Sequence, residues 1–270
     1  MKKLSKNNHI NSTRILSKEQ LLTTALFYAD SGVYWVFDEI KKDISDLQSG
    51  ENPVNYQIKP EKNISHKENI LVQKAYSIAN KACSLHELKS LLCSFHEYNL
   101  CSTSISTICA IKQKEGKDLM IIGYTPSDSD NISGEPFSGK TGNMLDKMLK
   151  SIDLVRSQTY MSMISPWYPT GNRNLSDIEI EICRPLIIKQ IELISPKIIF
   201  FIGSKTKNFF FNNNYTNTYQ NLGKWHNISV KDRTIPTLST VHPQELIKYP
   251  LIKKNTWHVL IALKKALKKI

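Results

Sequence analysis

The residues best suited to chemistry begin in one stretch. Leu119-Met-Ile-Ile-Gly-Tyr-Thr-Pro-Ser runs on through Gly134-Glu-Pro-Phe-Ser-Gly139 to Gly142-Asn-Met-Leu. Four apolar residues lead to Gly123. Pro126 and a Ser/Asp/Asn cluster follow, and then Met144, Leu145 and Met148 recur at helical spacing, so the pattern is a buried strand, a polar loop and a helix start. Asp128 and Asp130 are carboxylates able to position a water. The same Asp and Ser content also suits a solvated turn. A second polar loop, 165–175, holds Asn172 and Arg173, and a third, 241–249, holds His242 and Pro243.

Those loops need a scaffold. From about residue 106 the pattern alternates strands and helices. Candidate strands are Ser106–Ile111, Asp118–Gly123, Thr159–Ser165, Lys197–Gly203 and Ile235–Val241. Candidate helices lie near Gly142–Ile152, Ser176–Ile194 and Ser204–Phe211, and a last one runs from about Thr256 to Ile270. Ser176-Asp-Ile-Glu179 has capping-box spacing, with acidic residues where the helix dipole favours them. Alternation at this spacing implies a mostly parallel sheet covered on both faces, a three-layer α/β/α sandwich. Such sheets bind ligands at the carboxyl ends of their strands, where all three loops arrive.

Upstream, Ser17-Lys-Glu-Gln20 predicts a helix to about Ala29, and residues 41–68 read as a flexible linker. A further helix is expected from Asn69 to Phe95, with a break near Ser84. The expected division is therefore 1–68, helix plus linker, and 69–270, the α/β domain.

The 36 Lys and Arg against 24 Asp and Glu leave a net charge of +12 over 270 residues. That bias attracts polyanions, nucleic acid first and anionic membrane next; a solvated lysine surface is the plainer account. No run of about 18 apolar residues and no signal-peptide core is present, so a cytoplasmic location is expected. Five cysteines without a C-x-x-C pair indicate neither a disulfide framework nor a zinc knuckle.

Taken in order, the three loops resemble the uracil-DNA glycosylase superfamily, most closely its bacterial family 4 type. Gly123-Tyr-Thr-Pro126 with Gly134-Glu-Pro-Phe-Ser-Gly139 is similar to that family's first motif, Pro169-Thr-Gly-Asn-Arg173 to its P-P-x-N-R loop, and Val241-His-Pro243 to its closing H-P motif. The resemblance runs from about residue 70 to the end. It implies a glycosylase of DNA base-excision repair, hydrolysing the N-glycosidic bond of uracil or another deaminated base, with DNA as partner and the protein acting as a monomer.

On that resemblance Phe137 stacks on the flipped base, and His242 donates to the base oxygen that gains charge. Gly123, Tyr124, Pro126, Ser127 and Met163 line the base site, Asp128 or Asp130 holds the water, and Asn172, Arg173 and Pro243 face DNA. The chain departs from the pattern in places. Tyr124 stands where the family has Glu, and Met163 where an Asn reads the uracil edge; a thioether offers only a weak acceptor there. These departures favour, as alternatives, a DNA-binding descendant without activity or an enzyme of changed base preference. The family's four-cysteine iron–sulfur cluster is matched only by Cys101 and Cys183, with Tyr98 and Trp167 at the other positions, so no cluster is expected and Trp167 should pack in its place.

Overall fold

A computed structural model describes residues 54–55, 66–109, 117–211 and 222–270, all within the unit Ser45–Ile270. The helix expected from Ser17 lies outside the described residues.

The core strands form because they are apolar without interruption. β2 (Leu119–Gly123), β3 (Thr159–Met163) and β4 (Ile198–Ile202) are buried at every residue, as strands covered on both faces must be. β6 (Arg233–Thr240) joins them, and the pairs β2–β3, β2–β4 and β4–β6 are all parallel. β5 (His226–Val230) runs antiparallel to β6. Beyond it, β1 (Val54–Asn55) adds a short parallel edge. The sheet order is β1-β5-β6-β4-β2-β3.

Period-two alternation sorts the strand side chains into two layers. Met120, Ile122, Tyr160, Ile199 and Phe201 face a core built with α1 (His66–Lys81), α2 (Leu85–Cys93) and α6 (Asp177–Ile194). Leu119, Ile121, Met161, Met163, Phe200 and Ile202 face the other, built with α5 (Gly139–Lys150) and α9 (Lys253–Leu267). The three-layer sandwich read from the sequence is the observed fold.

The break expected near Ser84 in the helix over Asn69–Phe95 is present, because Ser84 accepts from the amide of Glu87 and starts α2. The differences are local. Within the segment read as linker, Val54–Asn55 pairs with β5, and α1 already begins at His66. The strand expected at Ser106–Ile111 does not form over 106–109; the amide of Ile108 donates to the carbonyl of Pro166 in a loop rather than to a strand. Residues 110–111 lie outside the described residues.

Candidate active site

At the carboxyl ends of β2 and β4 the connections leave in opposite directions, to β3 on one side and to β5 and β6 on the other. This is the switch point where an open α/β sheet leaves a crevice. A cleft of about 680 Å³ lies there. Its lining includes Tyr124, Pro126, Ser127, Asp128, Asp130, Phe137, Met163, Asn172 and His242, so residues from all three polar loops meet in one place.

The inner wall is tightly made. A Cβ built on Gly123 would sit 2.5 Å from Met163 Sδ and 2.8 Å from Phe137 Cζ, so both side chains close against this glycine. Phe137 is 1% exposed and has φ of 56°, a left-handed conformation that costs a residue with a Cβ about 1–3 kcal/mol and persists only where neighbours impose it. The neighbours are visible. Arg156 donates through Nη1 to the carbonyl of Pro136 (3.0 Å) and through Nη2 to that of Phe137 (2.7 Å), while its Nε holds Asp146 (2.9 Å). A side chain on Gly142 would fall on the Phe137 carbonyl oxygen.

The loop that leaves β2 is closed by Asp130. Ser127 caps α4 (Asp128–Ser133) in a full capping box. Asp130 Oδ2 accepts from the Ser127 amide (2.7 Å) and hydroxyl (2.8 Å), and Oδ1 accepts from the Ser138 amide at the start of α5. Through both oxygens Asp130 ties the loop ends together, so of the two carboxylates expected to hold a water it is the more heavily engaged. Asp128 keeps that possibility. It is exposed on the cleft and accepts the hydroxyl hydrogen of Tyr168, a contact that pushes the Tyr168 phenol up in pKa. Tyr124 reaches the backbone of Leu175 and lies under Lys205, whose Nζ is 5.9 Å from its ring centre; burial raises its pKa.

His242 is the N-cap of α8 (Pro243–Lys248). Its Nδ1 accepts from the Gln244 amide (3.3 Å), which leaves the ring proton on Nε2. Burial pulls its pKa down to about 4, with Asp130 working against that and Lys205 adding to it. At neutral pH the ring is therefore an uncharged donor. Pro243 does not line the cleft; it is the buried first residue of α8.

Arg173, expected to face DNA, also bonds within the chain. It makes two 2.7 Å bonds to the Glu179 carboxylate, which also accepts from the Ser176 amide (2.8 Å) and caps α6. Burial opposes the charge on Glu179, but these bonds hold its pKa below the usual range. Arg173 thus fixes the loop, and Asn172, left-handed at φ 54°, is the residue of that loop that lines the cleft.

Sequence reasoning missed Arg156, Lys140, Lys205, Lys248 and Gln244, of which the last four line the cleft. For the lysines the only signal was the overall charge. The capping role of Asp130 was readable, since Ser127-Asp-Ser-Asp130 has the S-x-x-D spacing.

The four positions of the family's cluster do come together. Tyr98 and Trp167 meet edge-on at 5.0 Å and Phe95 stacks on Tyr98 at 5.7 Å. The Cys101 thiol donates to the Leu92 carbonyl (3.5 Å). Burial raises both thiols, Cys183 to about 12. Two protonated thiols packed against two rings do not fit a group that needs four thiolates. Among the described residues no three His, Cys, Asp or Glu side chains cluster as metal ligands, and no helix is long and apolar enough to cross a membrane.

The family described as the Uracil DNA glycosylase superfamily matches residues 113–267. The chain is 29% identical over 141 residues to the Type-4 uracil-DNA glycosylase of Sulfurisphaera tokodaii, a match covering 51% of this chain and 64% of that protein. It is 26% identical over 144 residues to the enzyme of the same name from Archaeoglobus fulgidus, covering 52% and 72%. For that of Saccharolobus solfataricus the figures are 28% over 141 residues, 51% and 65%. The chain thus spans about two thirds of the length of these relatives.

Proposed function

Because the chain belongs to the uracil-DNA glycosylase superfamily, we propose that it excises uracil, or another deaminated base, from DNA by hydrolysing the N-glycosidic bond and leaving an abasic site for base-excision repair. The observation that carries this reading is the pairing, in one cleft, of a clamped aromatic platform at Phe137 with a neutral imidazole at His242.

The chemistry follows from these groups. A base flipped out of the duplex loses stacking, and the Phe137 ring replaces it. As the bond from the sugar to the base nitrogen breaks, its electron pair moves to the base and negative charge develops on the base's carbonyl oxygen. His242 donates its Nε2 hydrogen bond to that oxygen. Being uncharged, with Nδ1 accepting from the Gln244 amide, it stabilises the anion by this hydrogen bond and keeps its proton. A water held by Asp128, Ser127 and the adjoining backbone then attacks the cationic sugar carbon, which demands little nucleophilic strength, and the released proton passes to solvent or to the departing base. Lys140, Lys205 and Lys248 at the rim contact phosphates. The same reading takes the protein to be a cytoplasmic monomer that works without an iron–sulfur cluster; iron and sulfide found in stoichiometric amount would overturn the last point.

Met163 favours a variation on this reading. The wall it forms with Gly123 and Phe137 is apolar, so selection among bases is weaker than a hydrogen-bonding wall would give. Single-turnover incubation with oligonucleotides carrying uracil, hypoxanthine or xanthine, followed by alkali, tests both. Cleavage at uracil supports the function, and comparable rates on a second base support the relaxed choice. A protein that binds each oligonucleotide and cleaves none refutes the activity.

A further inference from the structure

The geometry points to Arg156 as the residue that positions the base-stacking platform, acting on the substrate only through Phe137. This deepens the glycosylase reading and rests on it for its kinetic consequences.

Phe137 stands between Pro136 and Ser138 in a conformation its side chain disfavours. A strained residue relaxes unless the backbone on each side is held. On the outgoing side Ser138 donates its amide to Asp130, and α5 starts immediately after. The carbonyl of Pro136 on the incoming side and that of Phe137 itself on the outgoing side both accept from Arg156, from a single planar group. A guanidinium presents its donors in a fixed fork, so two bonds to successive carbonyls set the orientation of the peptide as well as its place. Its third contact, Nε to Asp146 on α5, ties the fork to the helix that also carries Gly142. Gly142 completes the seat, because only a residue without a side chain leaves room for the Phe137 carbonyl that Arg156 grips. The arginine comes from the short turn before β3 (Arg156–Gln158), so the platform is locked to a strand of the sheet and not merely to its own loop.

Arg156 does not line the cleft, and its guanidinium reaches substrate only by way of the ring it orients. It is therefore a positioning residue. A lysine has the charge but cannot bridge two carbonyls, so Arg156→Lys isolates the fork. Asp146→Asn loosens the same fork from outside, at a half-exposed side chain where the fold tolerates change.

The test joins a double-mutant cycle to a ligand-free readout. Wild-type protein, R156K, F137A and R156K/F137A are compared for single-turnover cleavage of a uracil oligonucleotide and for inhibition by free uracil. Stacking acts on bound base before and during bond cleavage, so R156K should weaken the half-saturating oligonucleotide concentration and the uracil inhibition constant about tenfold while the limiting rate falls less. In F137A the added R156K change should cost nothing further. In parallel, proteins carrying ring-labelled phenylalanine give the Phe137 signal by NMR, assigned as the one missing from F137A; it should be single in the wild type and shifted or split in R156K and, more weakly, in D146N, with unchanged melting temperature. Additive losses in the cycle, or an unmoved Phe137 signal in folded R156K, overturn the proposal. Should the wild type neither cleave the uracil oligonucleotide nor bind uracil, the glycosylase reading fails by itself, and the NMR comparison still decides whether Arg156 sets the ring.

Discussion

The turn around Phe137 and the loop around Asn172 are built from similar parts. Each places a residue with a side chain in the left-handed region, at φ 56° and 54°, within two residues of a left-handed glycine and under an arginine. The difference lies in what the arginine holds. Arg156 grips the backbone carbonyls of the turn itself, and the ring it fixes is buried. Arg173 grips a carboxylate that caps the next helix, and Asn172 stays exposed. The first arrangement fixes a surface deep in the cleft; the second fixes only the path of its rim. Precision near the reacting atoms should therefore matter far more than precision at the edge.

Loss of the inner wall should cost most. His242→Ala is expected to slow single-turnover cleavage by about 10²–10³-fold, the usual cost of removing one donor to a developing anion. Gly142→Ala should lower it by about 10²-fold by displacing Phe137, as misplacement of about 1 Å can do. Oligonucleotide affinity measured by gel shift should stay near that of the wild type in His242→Ala, where ring and rim are intact, and should fall in Gly142→Ala, where the stacking ring is displaced. At the rim, Arg173→Ala should change the limiting rate little. Its partly exposed ion pair contributes about 0.5–1 kcal/mol, to be read from chemical denaturation. A loss of activity as deep as that of Gly142→Ala would erase the distinction between the two loops. Lys248→Ala should act least on chemistry, reducing the slope of log affinity against log salt by about one.

The pH dependence sharpens the same contrast. His242 has its folded pKa near 4, below the ordinary 6.5. Whatever stability its uncharged form contributes is present above 6.5 and is lost as pH falls toward 4. Activity should therefore hold steady from neutral pH downward until the ring begins to charge. Imidazole signals followed by NMR should show the Nε2–H tautomer throughout that range; a ring protonated at pH 6 would contradict the neutral-donor role.

The scaffold was readable because its signals are local. The apolar runs at Leu119, Ile198 and Ile235 announced strands, and Ser176–Glu179 announced the start of α6. β5 escaped notice because His226 and Asn227 open it and its burial alternates, as suits a strand with one open face. In the cleft, residues with familiar neighbours, Phe137 and His242, were found. Arg156 was not. It lies 19 residues from the carbonyl it serves, and no spacing rule connects the two. The bond from Arg173 to Glu179 was not foreseen, since that carboxylate was legible as a cap and not as an acceptor for the arginine.

The buried thiols also bear on how the protein ages. Cys101, Cys109 and Cys183 lie inside the fold with raised proton affinity, Cys109 to about 11, so at neutral pH they stay as thiols. Peroxides and alkylating agents attack the thiolate. The agents that injure DNA bases would thus meet, in a protein proposed to mend them, a core with little to react. Chemical wear would fall first on Cys83 and Cys93, which are exposed and take no part in the cleft.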